Sequence, residues 1–277
     1  MEITTMKNYV HGYSTIEADR LQDQAETLAR LLHADVRYPV GATVLEAGCG
    51  TGCQTVILAG HNPESHFVSL DVSPSSLLKA EEAVRSAGLT NVRFEQADIF
   101  NLPVDDETFA DATFDHIFVC FVLEHLSDPL GALQCLKRVL KKGGTITVIE
   151  GDHGSFYCHP ESPEARRTVD CLVSLQAMLG GDSLIGRKLY PLLHEAGFYR
   201  PVVSPQMVYV DGSRPELIEG FSRNTFIAMV RGVRQQAISA GLIDEATWER
   251  GIRALEAATG PGGTFCYTFF KAVAIRA

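Results

Sequence analysis

The sequence predicts an α/β fold, a doubly wound and mainly parallel sheet covered by helices on both faces. Three observations carry this. An apolar run, Thr43-Val44-Leu45, leads into Glu46 and a glycine turn at Gly48, Gly50 and Gly52, after which Cys53 to Ala59 reads as a helix. From Thr43 to Glu150 short apolar segments alternate with helical ones, the rhythm of a parallel sheet with crossover helices. The first strands also end in polar residues, on the side where open α/β sheets bind ligands.

Taken in order, residues 1–40 form an N-terminal helical lid. Ile16 through His33 place Leu21, Ala25, Leu28, Leu31 and Leu32 on one helical face, and Tyr9 and Tyr13 precede it. Residues 41–150 are the half with the glycine turn. Its strands are Val44–Ala47, His66–Asp71, Val92–Glu95, Phe114–Phe121 and Thr145–Glu150; Pro74 opens one helix, and Leu130–Leu140 is another, ended by Lys141-Lys142-Gly143-Gly144. Residues 151–277 are the substrate-side half, with helical insertions at about 155–183 and 215–258. Residues 151–183 read as loop and helix, Ile185–Ala196 as a helix, Val202–Val210 and Thr264–Ile275 as strands. No linker, low-complexity tract or repeat divides the 277 residues, which therefore read as one domain.

Composition narrows the partners. A net charge of -10 and the lack of a Lys/Arg cluster argue against nucleic acid, whose phosphates need a basic surface. No apolar run approaches the roughly 20 residues of a membrane span, and the start of the chain lacks a basic-then-apolar leader, so no membrane is expected and the chain reads as cytoplasmic. Seven cysteines without a C-x-x-C pair read as reduced thiols. A small neutral or cationic molecule is the partner these features favour; they say nothing of oligomeric state.

The glycine turn is a nucleotide cradle, because a chain that turns sharply and lets a ligand reach its backbone cannot carry β-carbons there. It departs from the dinucleotide fingerprint: the third glycine of that pattern would fall at Cys53, and Glu46 adds a carboxylate that repels pyrophosphate and welcomes a cation. Asp71 closes the second strand at about the 20-residue spacing of a ribose-binding acid, or caps the helix that Pro74 opens. Asp98 offers a hydrogen bond to an adenine amino group with Ile99 against the ring, or is a solvated turn aspartate.

The segments LEAGCGTG, SLDVS (69–73), QADIFNLP (96–103), FDHIFVCFVLEHLSDP (114–129) and LKKGGTITVIE (140–150) resemble, in order and spacing, the motifs of class I S-adenosylmethionine-dependent methyltransferases of the small-molecule type. The resemblance implies a Rossmann-like seven-stranded sheet with its last strand antiparallel, and S-adenosylmethionine as cofactor. It implies that Glu46, Gly48, Cys49 and Gly50 line the methionine portion, Asp71 with Val72 the ribose, and Ala97, Asp98 and Ile99 the adenine. Cys120 and Phe121 would flank the cofactor, with the segment through His125 facing the acceptor. Apart from the resemblance, Tyr9 and Tyr13, in a polar segment, read by position and chemistry as a lid over the cofactor, with packing of the following helix on the core as the alternative.

For catalysis, Glu150-Gly151-Asp152-His153 reads as an ionisable loop after the fifth strand, with His153 deprotonating a hydroxyl or amine alongside Asp152 or Glu150. His125 is a second base or substrate contact, or a histidine satisfying a helix N-terminus. A metal held by Asp152, His153 and His159 is the sharper alternative, but their spacing matches no metal motif. Asp115 reads as a structural acid bonded to the glycine turn. Tyr157, Arg187, Tyr209, Asn224 and Tyr267 are candidate pocket residues. The resulting expectation is a methyltransferase acting on an oxygen or nitrogen of a small molecule. Peptide side-chain methylation, a non-catalytic cofactor-binding protein and an NAD-dependent oxidoreductase are the rivals.

Overall fold

A computed structural model describes Ala25 and residues 27–103 and 109–277. Tyr9, Tyr13 and Leu21, and with them most of the expected lid, lie outside the described residues. Residues 27–32 are helical, and Ala25, Leu28 and Leu32 are buried.

Seven strands form one sheet: β1 (Thr43–Ala47), β2 (His66–Asp71), β3 (Val92–Gln96), β4 (Phe114–Cys120), β5 (Leu140–His159), β6 (Tyr199–Asp211) and β7 (Thr264–Ile275). Their spatial order is β3-β2-β1-β4-β5-β7-β6, with β7 antiparallel. β1 pairs in parallel with β2 on one side and β4 on the other, so the chain reverses its winding direction beside β1. That reversal is the crevice in which doubly wound sheets bind ligands. Val44, Leu45, Phe67, Leu70, Phe114, Phe118, Ile146 and Val148 are buried in the centre.

The helices start where their caps stand. In α1 (Cys53–His61) the first residue follows Gly52, whose φ is +82°. Ser73, Asp128 and Ser162 each precede a proline and cap α2 (Pro74–Ser86), α3 (Pro129–Val139) and α4 (Pro163–Met178), accepting from Ser76, Gly131 and Ala165 N–H respectively. A side chain that satisfies an orphan N–H, followed by a residue that has none, fixes each start.

Three expectations change. The fifth strand does not stop at Glu150: β5 begins directly after α3, at Leu140, and runs on to His159. The region read as loop from residue 151 is therefore strand first. Gly144 sits where any Cβ would lie 2.7 Å from the Asp115 carbonyl oxygen, so glycine there serves close strand approach rather than helix termination. Asp115 is not bonded to the glycine turn; it accepts from Thr43 N–H at 2.9 Å and from Lys141 Nζ at 2.7 Å, tying the start of β1 to β5. Third, Ile185–Ala196 is not one helix but a 3-10 turn, Ile185–Lys188, followed by α5 (Leu189–Glu195). The 215–258 stretch is likewise broken, into Pro215–Leu217, a π-helix Ile218–Ile227, Ala228–Gly232, Arg234–Ser239 and Glu245–Ala257.

The chain divides into two compact units. One comprises Ala29–Glu150, Gly186–Ser204 and Phe270–Ala277; the other comprises Gly151–Ile185 and Pro205–Phe269 with the described residues through Leu28. No helix among the described residues is long and apolar enough to cross a membrane. Replacing the Asp128 cap with alanine should cost about 1 kcal/mol in urea unfolding, with asparagine retaining most of it; an unchanged midpoint for Asp128→Ala would remove the cap from the account.

Candidate functional site

In the first unit the glycine turn is held by the two strands it lies between. Gly48 and Cys49 N–H both donate to Leu70 O at 2.9 Å, and Gly50 N–H donates to Asp71 Oδ2 at 2.8 Å. Gly48, Gly50 and Gly52 have φ of +79°, +54° and +82°, a region that L side chains rarely adopt. Two of them also have no room: a Cβ on Gly48 would stand 2.5 Å from Val122 Cγ2, and one on Gly52 would stand 2.8 Å from Ala80 Cα. No atom of the described residues lies within 4 Å of a Cβ built on Gly50, so among them its backbone is open to a ligand.

Two acids border this turn. Glu46, almost fully buried on β1, accepts at Oε2 from Thr55 Oγ1 and Ser69 Oγ, both at 2.7 Å. Burial pushes its carboxyl up to about 7; the two hydroxyls pull it back, and the Asp71 charge adds to the rise. Asp71, at the end of β2, accepts from Gly50 N–H at Oδ2 and from Ser73 N–H at Oδ1, 2.9 Å. Burial raises its carboxyl as well, against the pull of those backbone N–H groups. Ser73, not Asp71, caps α2. Val72 is half-buried next to it.

At the end of β3, Ala97 N–H donates to Asp71 O at 3.2 Å. Asp98 caps the 3-10 turn Ile99–Asn101, accepting from Phe100 N–H and Asn101 Nδ2, both at 3.0 Å. Ile99 is buried. At the end of β4, Cys120 is buried and Phe121 takes a φ of +58°. His125 closes the 3-10 turn Leu123–His125 with its ring 3.5 Å from Glu124 Oε1. The start of α3 is capped by Asp128, which accepts from Gly131 N–H at 2.8 Å. Glu150 is fully buried, and its Oε1 accepts from Val122 N–H at 3.0 Å and Leu123 N–H at 2.8 Å. Burial, then the neighbouring Glu124 charge, holds its carboxyl well above the usual range.

Of the other candidates, Arg187 lies in the first unit and the rest lie in the second, and all of them lie in strands or helical turns rather than a loop. His153 is buried on β5 with Nδ1 at 2.6 Å from the Tyr267 hydroxyl on β7. Gly151 makes this possible, since a Cβ there would collide with that hydroxyl. Asp152 is buried and accepts from Gly154 N–H at 3.0 Å. Phe221 and Phe226 both pack against the Tyr267 ring, with centroids 5.7 Å and 5.5 Å away. Residues five apart share a face in a π-helix but not in an α-helix, and these two lie in the π-helix. The pairing of His153 with Tyr267 has no local sequence signal: the partners are 114 residues apart. Tyr157, Arg187, Tyr209 and Asn224 are exposed, and only Tyr267 of the five candidate pocket residues is buried. No group of three or more His, Cys, Asp or Glu side chains that would hold a metal occurs among the described residues.

The groups at the glycine turn fit a cationic adenosyl group: an open backbone at Gly50, the Asp71 carboxylate with remaining lone pairs and a second buried acid at Glu46 complement positive charge. The state of Glu46 also has a measurable consequence. A buried acid whose folded pKa is raised keeps its proton when the unfolded chain has lost it, so stability falls as pH rises from about 4.5 towards 7. Thermal unfolding across pH 5 to 8 should show this loss, and Glu46→Gln should flatten it; an equal slope in both proteins would contradict the assignment.

A family model described as a methyltransferase domain matches residues 40–197. An uncharacterised 37.1 kDa protein in transposon TN4556 of Streptomyces fradiae is 30% identical over 85% of this chain and 61% of its own length. A demethylmenaquinone methyltransferase of Listeria welshimeri is 33% identical over 42% of this chain and 47% of its own. The chain thus spans about 60% or less of these curated relatives. Among solved structures, a phosphoethanolamine N-methyltransferase of Haemonchus contortus, in complex with phosphomonomethylethanolamine and S-adenosylhomocysteine, shares the fold at a TM-score of 0.58 and 16% identity, covering 98% of this chain and 59% of that one. With the sheet order, the glycine turn and a family match over more than half its length, the chain belongs to the class I S-adenosylmethionine-dependent methyltransferases.

Proposed function

We propose that the protein transfers a methyl group from S-adenosylmethionine to an oxygen or nitrogen of a small molecule, in the cytoplasm. The observation that carries the reading is the open backbone at Gly50 between the carboxylates of Glu46 and Asp71. S-adenosylmethionine, when bound, supplies a methyl group on a positively charged sulfur. Each Asp71 oxygen accepts one backbone N–H and has lone-pair capacity for a ribose hydroxyl. Gly48, Cys49 and Gly50 line the methionine portion in this reading, Val72 the ribose, and Ala97, Asp98 and Ile99 the adenine. Cys120 and Phe121 flank the cofactor on the side of the acceptor.

Methyl transfer needs alignment of the acceptor with the sulfur–methyl bond before it needs a base. Where the acceptor carries a proton, His153 takes it. The Tyr267 hydroxyl at 2.6 Å supports this reading, because a partner at Nδ1 fixes the ring and its tautomer. Asp152 supports the strand beside it, and His125 with Glu124 is the second candidate base. The name of the Listeria relative supports a small-molecule acceptor. Seven cysteines with no C-x-x-C pair support a reducing compartment. The family match, which includes residues of both units, supports a single methyltransferase domain across the chain.

Calorimetric titration with S-adenosylmethionine, S-adenosylhomocysteine and NAD tests the reading: both adenosyl ligands bind and NAD does not. Binding of neither adenosyl ligand overturns it. Asp71→Ala should weaken cofactor binding by about 1–3 kcal/mol if both ribose hydroxyls rest on it, and unchanged affinity would take Asp71 out of the site. His153→Ala should lower turnover on an acceptor found by panel screening more than it lowers cofactor affinity, with Tyr267→Phe intermediate. Full activity in His153→Ala would mean that the base is elsewhere or unnecessary.

A further inference from the structure

The segment after β4 is held in an unfavourable shape by a group that comes from another strand. Phe121 has a φ of +58° although it carries a bulky side chain, a conformation that persists only where surroundings impose it. Its N–H donates to Ile149 O at 3.0 Å. The next two N–H groups, of Val122 and Leu123, both donate to one oxygen of Glu150. Three successive backbone donors are thus anchored on two successive residues of β5.

What this anchoring holds is a wall of the glycine turn. The Val122 side chain is buried and stands where a Cβ on Gly48 would meet its Cγ2 at 2.5 Å. Gly48 in turn donates to Leu70 O beside Asp71. The line therefore runs from the Glu150 carboxylate through the Val122 amide and isopropyl group to the first glycine of the turn, in one compact unit. We propose that Glu150 is a positioning residue for the cofactor seat, a brace that holds the 121–123 turn so that Val122 presses on Gly48. It does not exchange protons with an acceptor.

Burial separates these roles. A general base must reach the proton it takes, whereas Glu150 is 0% exposed, with one oxygen occupied by two amides and the other buried with no hydrogen-bond partner among the described residues. Burial, ahead of the Glu124 charge, raises the carboxyl, and the amides of Leu123 and Val122 pull it back. Removing the carboxyl strands two buried N–H groups, a costly change, and frees the strained backbone at Phe121. Glutamine keeps an acceptor oxygen of the same reach and needs no charge.

The inference rests on the reading of the glycine turn as the seat of the adenosyl cofactor. The test is the affinity of Glu150→Ala, Glu150→Gln and Val122→Ala for S-adenosylhomocysteine, with hydrogen exchange of the amides of residues 122 and 123. Glu150→Ala should bind at least about 10-fold more weakly, corresponding to about 1.4 kcal/mol, and lose protection of both amides. Glu150→Gln should stay within about 3-fold of the wild type and keep that protection. Val122→Ala leaves the carboxylate in place and should still weaken binding several-fold; it serves where Glu150→Ala does not fold. Wild-type affinity in Glu150→Ala or Val122→Ala, or a Gln variant as weak as the Ala one, overturns the brace alone. A wild-type protein that does not bind S-adenosylhomocysteine overturns the cofactor reading and the brace together.

Discussion

The fold of the first unit depends on a backbone constraint: a chain leaving β1 must turn within five residues, with three of them at positive φ, in the space between β2, β4 and α2. Only glycine satisfies this at Gly48 and Gly52, where the turn is pressed by Val122 and Ala80. The carbonyl of Leu70 takes two of the turn's N–H groups and the carboxylate of Asp71 takes a third. The acid at the end of β2 therefore holds the turn and presents the remaining lone pairs beyond it. Glu46 completes the arrangement from below, linking β1 to α1 through Thr55 and to β2 through Ser69.

Charge and burial then sort the carboxylates by task. Glu46, Asp71 and Glu150 are all raised by desolvation, but their partners differ. Glu46 is met by hydroxyls of side chains, Asp71 by N–H groups of the turn it supports, and Glu150 by N–H groups of the segment after β4. Asp115, exposed enough to keep its charge, lies instead in an ion pair with Lys141, which with Thr43 N–H lowers its carboxyl below the usual range. Acids in one sheet are thus sorted by what meets them: side-chain hydroxyls, the amides of a turn, the amides after β4 and a lysine.

How much of this was legible in the sequence follows from how local each signal is. The strands ending at Ala47 and Asp71, the glycine turn and the helix behind Pro74 were readable because apolar period, positive-φ residues and caps act within a few positions. The extension of β5 through residue 159 was not, because Gly151, Asp152 and Gly154 carry turn chemistry locally. They lie in a strand because tertiary partners satisfy them: Gly151 leaves space for the Tyr267 hydroxyl, and Ser155 Oγ accepts from Thr268 N–H at 3.0 Å. The roles of Glu150 and Tyr267 were hidden for the same reason, each meeting a partner far along the chain. The π-helix was hidden too, since one extra residue per turn leaves an amphipathic pattern that reads as α-helix.

The glycine turn with Glu46 and Asp71 is the proposed seat of the adenosyl cofactor. A crystal structure with S-adenosylhomocysteine tests it most directly. Both ribose hydroxyls are expected on the Asp71 carboxylate, with the ligand over the Gly50 backbone. Ligand density elsewhere, with Asp71 touching only Gly50 and Ser73, would contradict it.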